Sequence, residues 1–487
     1  MSADIAGSVR KAVFWRSGSQ ILSQAVAWGS TLAVVRILHP EDYGLFAMTQ
    51  VILVFLNFLN GYAFASSLVR QRDLTPQLIR QGFGLLLLIN AGLALLQLGL
   101  APLAAAYYRQ PIVADLLRLQ ALIYLATPFI ALPEALMVRD LDFRRPAIAN
   151  LVATLVMAGV SLGCALSGLG VWTLVWAPLS AFWTRGLVLV VLSRFFVLPS
   201  FRFRGAGEML NFGLLLLGSH FFWTVQTQAD VFIAGRRLDP HDLGLYAEAL
   251  FLTMIVANKF VPPLNDVAFP AYSRLQDDPE AMAAAFRKVV RMILLATVPL
   301  YFGLAATAED AVSVVFGAKW LEMAPLVTIL SLAMPAFTLH ILFAPAVNAL
   351  GHARISMRAS IFGAVVMIAA FLVGVRFGSV GLAWAWVAGF PLIPAFTYWQ
   401  SRKLLGLSLS DLGGAVLPAL GAGAGMAVIV RLVGSQLGAL PDWVALIVQV
   451  GCGGIAYGAI LWVFSRETLM ELIALVVKRR PPVPAAA

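Results

Sequence analysis

Between about residue 12 and residue 464 the chain is a succession of apolar runs separated by short polar breaks. Each run is about 20 residues long, the length of helix needed to cross the hydrocarbon core of a bilayer. A chain built this way reads as an all-α, polytopic membrane protein with about fourteen transmembrane helices, the first near 12–36 and the last near 443–464. With 61% hydrophobic and 12% charged residues, it has half the charge of an ordinary soluble domain, about 25%. The net charge of +10 comes from short basic clusters between the runs, the pattern of cytoplasmic loops and not of a nucleic-acid surface. Putting both termini in the cytoplasm gathers Arg139, Arg144, Arg145, Arg194, Arg202, Arg204, Arg274, Arg287, Lys288 and Arg291 on the inner side. A helix missed in the middle would invert that bias downstream, so helix count and orientation support each other. Cys164 and Cys452 both lie inside apolar runs, which suggests neither a disulfide framework nor a metal site. The start, MSADIAGSVRKAVFW, has no apolar core ahead of a cleavage site and is expected to be retained.

One polar break is written nearly twice. RILHPEDYGLFA at 36–47 returns as RRLDPHDLGLYA at 236–247, with Arg36/Arg236, Pro40/Pro240, Asp42/Asp242, Gly44/Gly244 and Ala47/Ala247 among the identities. A fixed spacing of this kind marks an internal duplication. The offset encloses an even number of spans, so both copies enter the membrane in the same direction, as parallel repeats about an axis along the membrane normal. The expected architecture is a six-helix lobe over residues 1–203, a second six-helix lobe over 204–405, and two additional helices with a basic cytoplasmic tail over 406–487. A weaker echo, GLGVWTLV at 168–175 and GSVGLAWA at 378–385, precedes the last helix of each lobe. The longest polar connection, about 271–288, leaves no room for a soluble domain. Two lobes with short loops suit a transporter that rocks better than a membrane enzyme that needs a folded active-site loop.

Ionisable groups at mid-bilayer cost about 2.5–3.5 kcal/mol each on insertion scales, so they should face protein or water. On the first span Arg16, Ser19, Gln20, Ser23 and Gln24 form one stripe at helical spacing. The equivalent seventh span carries Ser219, His220, Thr224, Gln226, Thr227, Gln228 and Asp230. Arg185 in the sixth span and Asn258 and Lys259 in the eighth add positive charge and amide donors. Arg16, Gln20, Gln24, Arg185, Asn258 and Lys259 are therefore the candidate lining of a cationic cleft in the gap between the two lobes, suited to an anionic group such as a pyrophosphate. The competing reading has Arg16 and Lys259 snorkelling to a surface, or Lys259 paired with Asp230 for structure alone. The repeated turn also has two readings. Asp239-Pro240 with Asp242 makes an ordinary helix start, and Arg36 and Arg236 complement helix C-terminal dipoles. Alternatively, Arg36 and Arg236 pair with Asp42 and Asp242 and close an outer gate. Glu134, after Pro133, is expected to reach the headgroups, and Asp277-Asp278 to be solvated. No phosphate-binding loop, metal site or nucleophile constellation is present in the sequence.

The segments VVRILHPEDYGLFAM, GRRLDPHDLGLYAEA, LVRQRDLT, ALMVRDLDFRR, GLGVWTLV, FPAYSRLQDD and VFGAKW together resemble the polysaccharide flippases of the MOP superfamily. The similarity is strongest to the WzxC-like branch, which includes colanic acid and teichuronic acid exporters, and it covers essentially the whole chain. The resemblance implies a MATE- and MurJ-like fold and a flippase for undecaprenyl-pyrophosphate-linked oligosaccharide repeat units. These would move from the cytoplasmic to the periplasmic leaflet of a bacterial inner membrane by alternating access, for capsule, exopolysaccharide or O-antigen synthesis. It implies no cofactor beyond a proton or sodium gradient or the membrane potential, with Asp230 the candidate coupling residue. The implied partners are the lipid-linked oligosaccharide, membrane lipids, and polysaccharide polymerase and export machinery. A drug/cation antiporter or a lipid II flippase would share the fold. A membrane polysaccharide polymerase would need a paired-carboxylate site that the outer residues Glu309, Asp310 and Glu322 do not form in sequence.

Overall fold

A computed structural model of the protein describes residues 2–57, 59–60, 75–201, 207–464, 466 and 470, with side chains described for all of these except 2–17, 207–220, 260–264, 266 and 267. Among the described residues every regular element is helical. Apolar residues cover the surface as well as filling the core, and several polar side chains are buried. Leu95, Leu103, Leu187 and Val191 are 62–69% exposed, while Thr49, Asn90, Gln97 and Gln120 are at most 1% exposed. Water would not sustain so much exposed apolar surface; lipid does. Nine helical stretches among the described residues are long and apolar enough to cross a membrane, and the protein is a multi-pass membrane protein.

The chain forms two compact units, residues 1–224 with 231–244 and residues 225–230 with 245–487. The first contains α1 (Ser2–Ile37), α2 (Pro40–Asn57), α3 (Pro76–Tyr108), a pass broken into α4 (Ile112–Gln120), α5 (Leu122–Ala126) and α6 (Pro128–Arg139), then α7 (Arg144–Leu166) and α8 (Trp172–Ser193). Its helix starts follow from local chemistry: Thr75 Oγ1 accepts from the Leu78 N–H at 3.2 Å ahead of Pro76. Proline breaks the fourth pass, and Pro128 and Pro133 are both buried in it. Inside the unit the buried amides tie helices together. Gln97 donates to the Leu117 carbonyl at 2.8 Å, and Gln120 donates to Thr49 Oγ1 at 3.1 Å. In hydrocarbon such bonds hold helices where hydrophobic attraction between them is absent.

The duplication read from sequence is visible in the order of elements. The chain continues with α9 (Gly207–Arg237), which ends at the second copy of the turn, α10 (Pro240–Ser273), α11 (Pro279–Ala306), and a broken pass made of α12 (Ala308–Val315), a 3-10 turn (Ala318–Met323) and α13 (Ala324–Ala349). It follows with α14 (Ala353–Gly374), α15 (Gly378–Gly389) and α16 (Leu392–Ser401). The echoed glycines Gly168 and Gly378 both have φ +73°, a left-handed conformation that favours glycine. The 49-residue stretch 353–401 supplies two antiparallel passes. Phe362 stacks on Phe396, Phe371 lies on Trp386, and Gly374 and Gly381 cross backbone to backbone beside the turn.

The last helices, α17 (Leu409–Gly434) and α18 (Asp442–Phe464), belong to the core of the second unit. Phe286, Val290, Leu294 and Val298 of α11 pack with Leu342 and Phe343 of α13, Ala419, Ala422 and Met426 of α17, and Tyr457 and Leu461 of α18. Asp278 does more than meet solvent: its Oδ1 accepts from the Ala281 N–H at 3.0 Å and starts α11. Ser408 and Asp411 form a reciprocal capping box on α17, and Arg287 donates to the same aspartate. The α11 contact requires small residues. A Cβ at Gly423 would lie 2.5 Å from Val298 Cγ1 and 3.0 Å from Phe302 Cδ2, whereas one at Gly421 would meet nothing within 4 Å. Gly423→Leu is expected to lower the thermal midpoint of the detergent-solubilised protein by a few degrees, the result of about 1–3 kcal/mol of overpacking. Gly421→Leu should leave it unchanged, and equal shifts for the two would contradict this packing.

Candidate functional site

A polar cavity of about 520 Å³ lies inside the first unit, lined by α1, α6, α7 and α8. Ser19, Gln20, Ser23 and Gln24 reach it from α1 because three- and four-residue spacing puts them on one helix face. Asn150 and Thr154, again four apart, face it from α7. Arg185 enters from α8 and Glu134 from α6, and they form an ion pair in which Arg185 Nη2 donates to both carboxylate oxygens at 2.8 and 2.9 Å. Both side chains keep about a quarter of their surface exposed, 28% and 27%. Buried Arg185 Nε has no hydrogen-bond partner among the described residues.

This cavity brings together Gln20, Gln24 and Arg185, three of the residues expected at the gap between the lobes, but it does so inside the first unit. It corrects the picture of a purely cationic interior, because Glu134 neutralises Arg185 instead of reaching the headgroups. The signal was present in the sequence as an acid and a base at comparable depth in the fourth and sixth passes, since ionisable groups in a membrane pair with one another. Asn258 and Lys259 belong to the second unit, where both are exposed. Arg16, Ser219 and His220 lie outside the residues whose side chains are described.

The second unit holds Asp230 in a buried relay. Trp386 Nε1 donates to Tyr246 Oη at 2.8 Å, and Tyr246 Oη donates to Asp230 Oδ2 at 2.8 Å. All three are fully buried, and Trp386 is fixed by stacking on Phe390 at 5.2 Å and by contact with Phe337 and Phe371. One turn before Asp230, the buried amide of Gln226 has no hydrogen-bond partner among the described residues and presses on the backbone of α14 at Gly363. The relay is specific to the second copy of the repeat: at the matching positions the first copy has Ser30 and Phe46. In the sequence Asp230 stands out as an acid within a span, while Tyr246 aligns with Phe46 of the first copy as one aromatic with another. The exchange of Phe for Tyr, opposite an exchange of Ser for Asp, was the available clue.

The two copies of the turn meet each other within the first unit. Gly44 and Gly244 approach so closely that a Cβ on either would overlap the carbonyl of the other copy's proline, Pro240 or Pro40. At the next matched position Glu41 Oε1 lies 3.0 Å from His241 Nδ1. Like positions therefore meet like positions, as at a local two-fold axis. Asp239 accepts from the Asp242 N–H at 2.9 Å, the expected helix start. The first copy, with His39 in place of that cap, is closed by Asp42, which accepts from the His39 N–H at 3.0 Å. Arg236 reaches across to another helix of the first unit. It donates to the carbonyls of Ala106 and Tyr107 at the end of α3 and sits 5.6 Å from the Tyr107 ring, so the dipole it complements is that of α3. Arg36 is exposed at the end of α1, and Asp42 lies against Gly170 of the echoed outer turn.

The family described as "Polysaccharide biosynthesis protein" matches residues 33–325. The succinoglycan biosynthesis transport protein ExoT of Rhizobium meliloti is 25% identical over 484 residues, 97% of this chain and 97% of that protein. The lipopolysaccharide biosynthesis protein WzxC of Escherichia coli is 21% identical over 328 residues, 65% of each. Among solved structures, the lipid II flippase MurJ in an inward closed conformation superposes with a TM-score of 0.75 at 12% identity, covering 93% of this chain and 99% of that one. That likeness establishes the fold.

The turn contact can be tested with a cysteine at buried Ala47, 8% exposed, in a protein whose Cys164 and Cys452 are replaced by serine. A membrane-impermeant maleimide should label it slowly when Gly44 is present. Gly44→Val should speed labelling about tenfold by forcing the two turns apart. Unchanged labelling would mean that the turns do not shield this position.

Proposed function

Because the chain belongs to the polysaccharide biosynthesis protein family, we propose that it is a flippase for undecaprenyl-pyrophosphate-linked oligosaccharide repeat units in a bacterial cytoplasmic membrane. The observation that carries this reading is the polar cavity of the first unit, with a guanidinium at its wall inside an apolar bundle. A lipid-linked sugar needs three environments at once: donors for the pyrophosphate, hydrogen-bonding surface for the sugar, and hydrocarbon for the tail. Arg185 offers a planar fork matched to phosphate, and its pairing with Glu134 keeps the empty site neutral. An arriving pyrophosphate takes up the remaining guanidinium donors, Nε among them. Gln20, Gln24, Asn150 and Thr154 supply amides and a hydroxyl for the sugar, while the polyprenyl chain stays in lipid.

In this reading the chain crosses the membrane fourteen times with both termini cytoplasmic, and the lobes 1–203 and 204–405 rock about the site. The turn at Gly44 and Gly244 closes the outer side, with the Glu41–His241 contact at its rim. A proton or sodium gradient drives the cycle, and Asp230 in its relay with Tyr246 is the group that takes up the coupling ion. A buried carboxylate that accepts from the Tyr246 hydroxyl can alternate between a charged and a neutral or ion-bound form as access changes. Polymerase and export machinery consume the unit on the far side.

The decisive measurement is the lipid-linked oligosaccharide content of membranes from a deletion strain, resolved by accessibility from each face. Intact units should accumulate on the cytoplasmic side with surface polysaccharide lost, and Arg185→Ala should restore transport about tenfold less well than the native chain. Unpolymerised units on the outer side would instead indicate a polymerisation defect. Asp230→Asn should flip substrate without the native dependence on pH or sodium; retention of that dependence would exclude Asp230 as the coupling group.

A further inference from the structure

The second unit contains another polar cavity, of about 550 Å³, where the end of α11 and the starts of α12 and α13 meet the end of α17 and the flank of α18. Its lining includes Glu309, Asp310, Thr328, Arg431, Ser435 and Gln449. Gln449 is 4% exposed, and its Nε2 donates to Asp310 Oδ2 at 2.6 Å. Its Oε1 is buried with no hydrogen-bond partner among the described residues. A glycine makes room for this side chain: a Cβ at Gly434 would lie 2.8 Å from Gln449 Nε2. The hydroxyls commit their hydrogens to backbone carbonyls. Thr328 donates to the Ala305 and Ala324 carbonyls at 3.2 and 3.1 Å, and Ser435 to Leu432 at 2.8 Å.

The cavity is thus rich in acceptors on one side, two carboxylates and an orphaned amide oxygen, and has one cation, Arg431, on its wall. A neutral sugar would leave the separated charges unused, and a simple anion would face two carboxylates. The lining matches a ligand with a primary ammonium a few bonds from a phosphate. The ammonium donates to the carboxylates, of which Asp310 is held in place by Gln449, and the phosphate meets Arg431. The site lies at helix ends, and apolar side chains continue from it along two helices. Leu332, Val428 and Leu432 are 42%, 60% and 64% exposed, one turn or less from Thr328 and Arg431. Acyl chains have a surface to follow.

We propose that this cavity, formed by Glu309, Asp310, Gln449 and Arg431 between the duplicated bundle and the last two helices, binds the headgroup of a zwitterionic phospholipid bearing a primary ammonium, such as phosphatidylethanolamine. It gives α17 and α18 a lipid-anchoring role. The inference depends on the helices lying in a membrane and not on which substrate is moved.

Native mass spectrometry of the full-length protein in detergent, titrated with phosphatidylethanolamine, phosphatidylcholine or phosphatidylglycerol of matched chains, tests it. Phosphatidylcholine keeps the phosphate and the positive charge but has no N–H, and phosphatidylglycerol has hydroxyls but no cation. Phosphatidylethanolamine should bind about tenfold more tightly than either, the scale of one charge-assisted hydrogen bond. Glu309→Gln with Asp310→Asn should bring the three lipids near parity, and Glu309→Gln alone should reduce the preference if the double variant fails to fold. Arg431→Gln should weaken all three and preserve their order. Water-soluble O-phosphoethanolamine should compete with the bound lipid. Equal binding of phosphatidylethanolamine and phosphatidylcholine, or a preference that survives the double variant, would overturn the proposal. Binding of O-phosphoethanolamine without any lipid preference would reassign the cavity to a soluble ligand and overturn it equally. No transport is measured, so the outcome and that of the flippase test are independent.

Discussion

A polar side chain inside a bundle surrounded by hydrocarbon has only other protein groups, or water admitted into a cavity, to bind. That constraint sorts the residues of this chain. Leucines and valines cover the outside, and Gln97, Gln120, Asn90 and Thr49 spend their hydrogen bonds within the first unit. What is left after such pairing is informative. Arg185 Nε, both amide atoms of Gln226 and Oε1 of Gln449 are buried and unsatisfied among the described residues, as are the side-chain oxygens of Asn90, Gln97 and Gln120, so it is those that line a cavity, Arg185 and Gln449, that point to a ligand. Leaving such a group unpaired costs about 1–3 kcal/mol, a penalty that a bound ligand or ordered water would relieve.

Duplication supplies the frame and departures from it supply the chemistry. Helix order, the repeated turn and the paired glycines at φ +73° keep to the repeat. The relay of Asp230, Tyr246 and Trp386 breaks it, because the first copy has Ser30 and Phe46 at the first two positions. The Arg185–Glu134 pair breaks it too, in the opposite direction: Arg185 corresponds to Ala395 at the offset of the GLGVWTLV and GSVGLAWA echo. A protein built from two similar halves has become asymmetric in its polar interior, with a cation and its counterion in one unit and a hydrogen-bonded acid in the other.

The helical membrane class and the parallel repeat were legible because they rest on periodicity and identity, which survive in one dimension. So was the α1 face of Gln20 and Gln24, since helical spacing alone places it. Partners were not legible. Glu134 and Arg185 are 51 residues apart, and Trp386 and Tyr246 are 140 apart; nothing local announces either pairing. The partner of Arg236 was hidden for the same reason. Sequence offered it a helix-end dipole or a nearby aspartate, and Arg236 reaches carbonyls at the end of a helix some 130 residues earlier. Gly44 and Gly244 were noticed as identities, but their mutual approach exists only once two stretches 200 residues apart are brought together.

The interleaving of the two units has a consequence for how the protein is made. Residues 225–230 belong to the second unit and 231–244 to the first, so the first cannot complete its contacts until part of the second copy has been synthesised. The second, in turn, exposes Phe286, Leu294 and Val298 until Ala419, Met426 and Tyr457 arrive to cover them. A chain emerging at about 5–20 residues per second therefore spends its synthesis as an unfinished bundle, with neither unit closed early. Insertion and helix packing must be separate stages here, and the arrival of α17 and α18 ends the period in which the core of the second unit is open to membrane proteases.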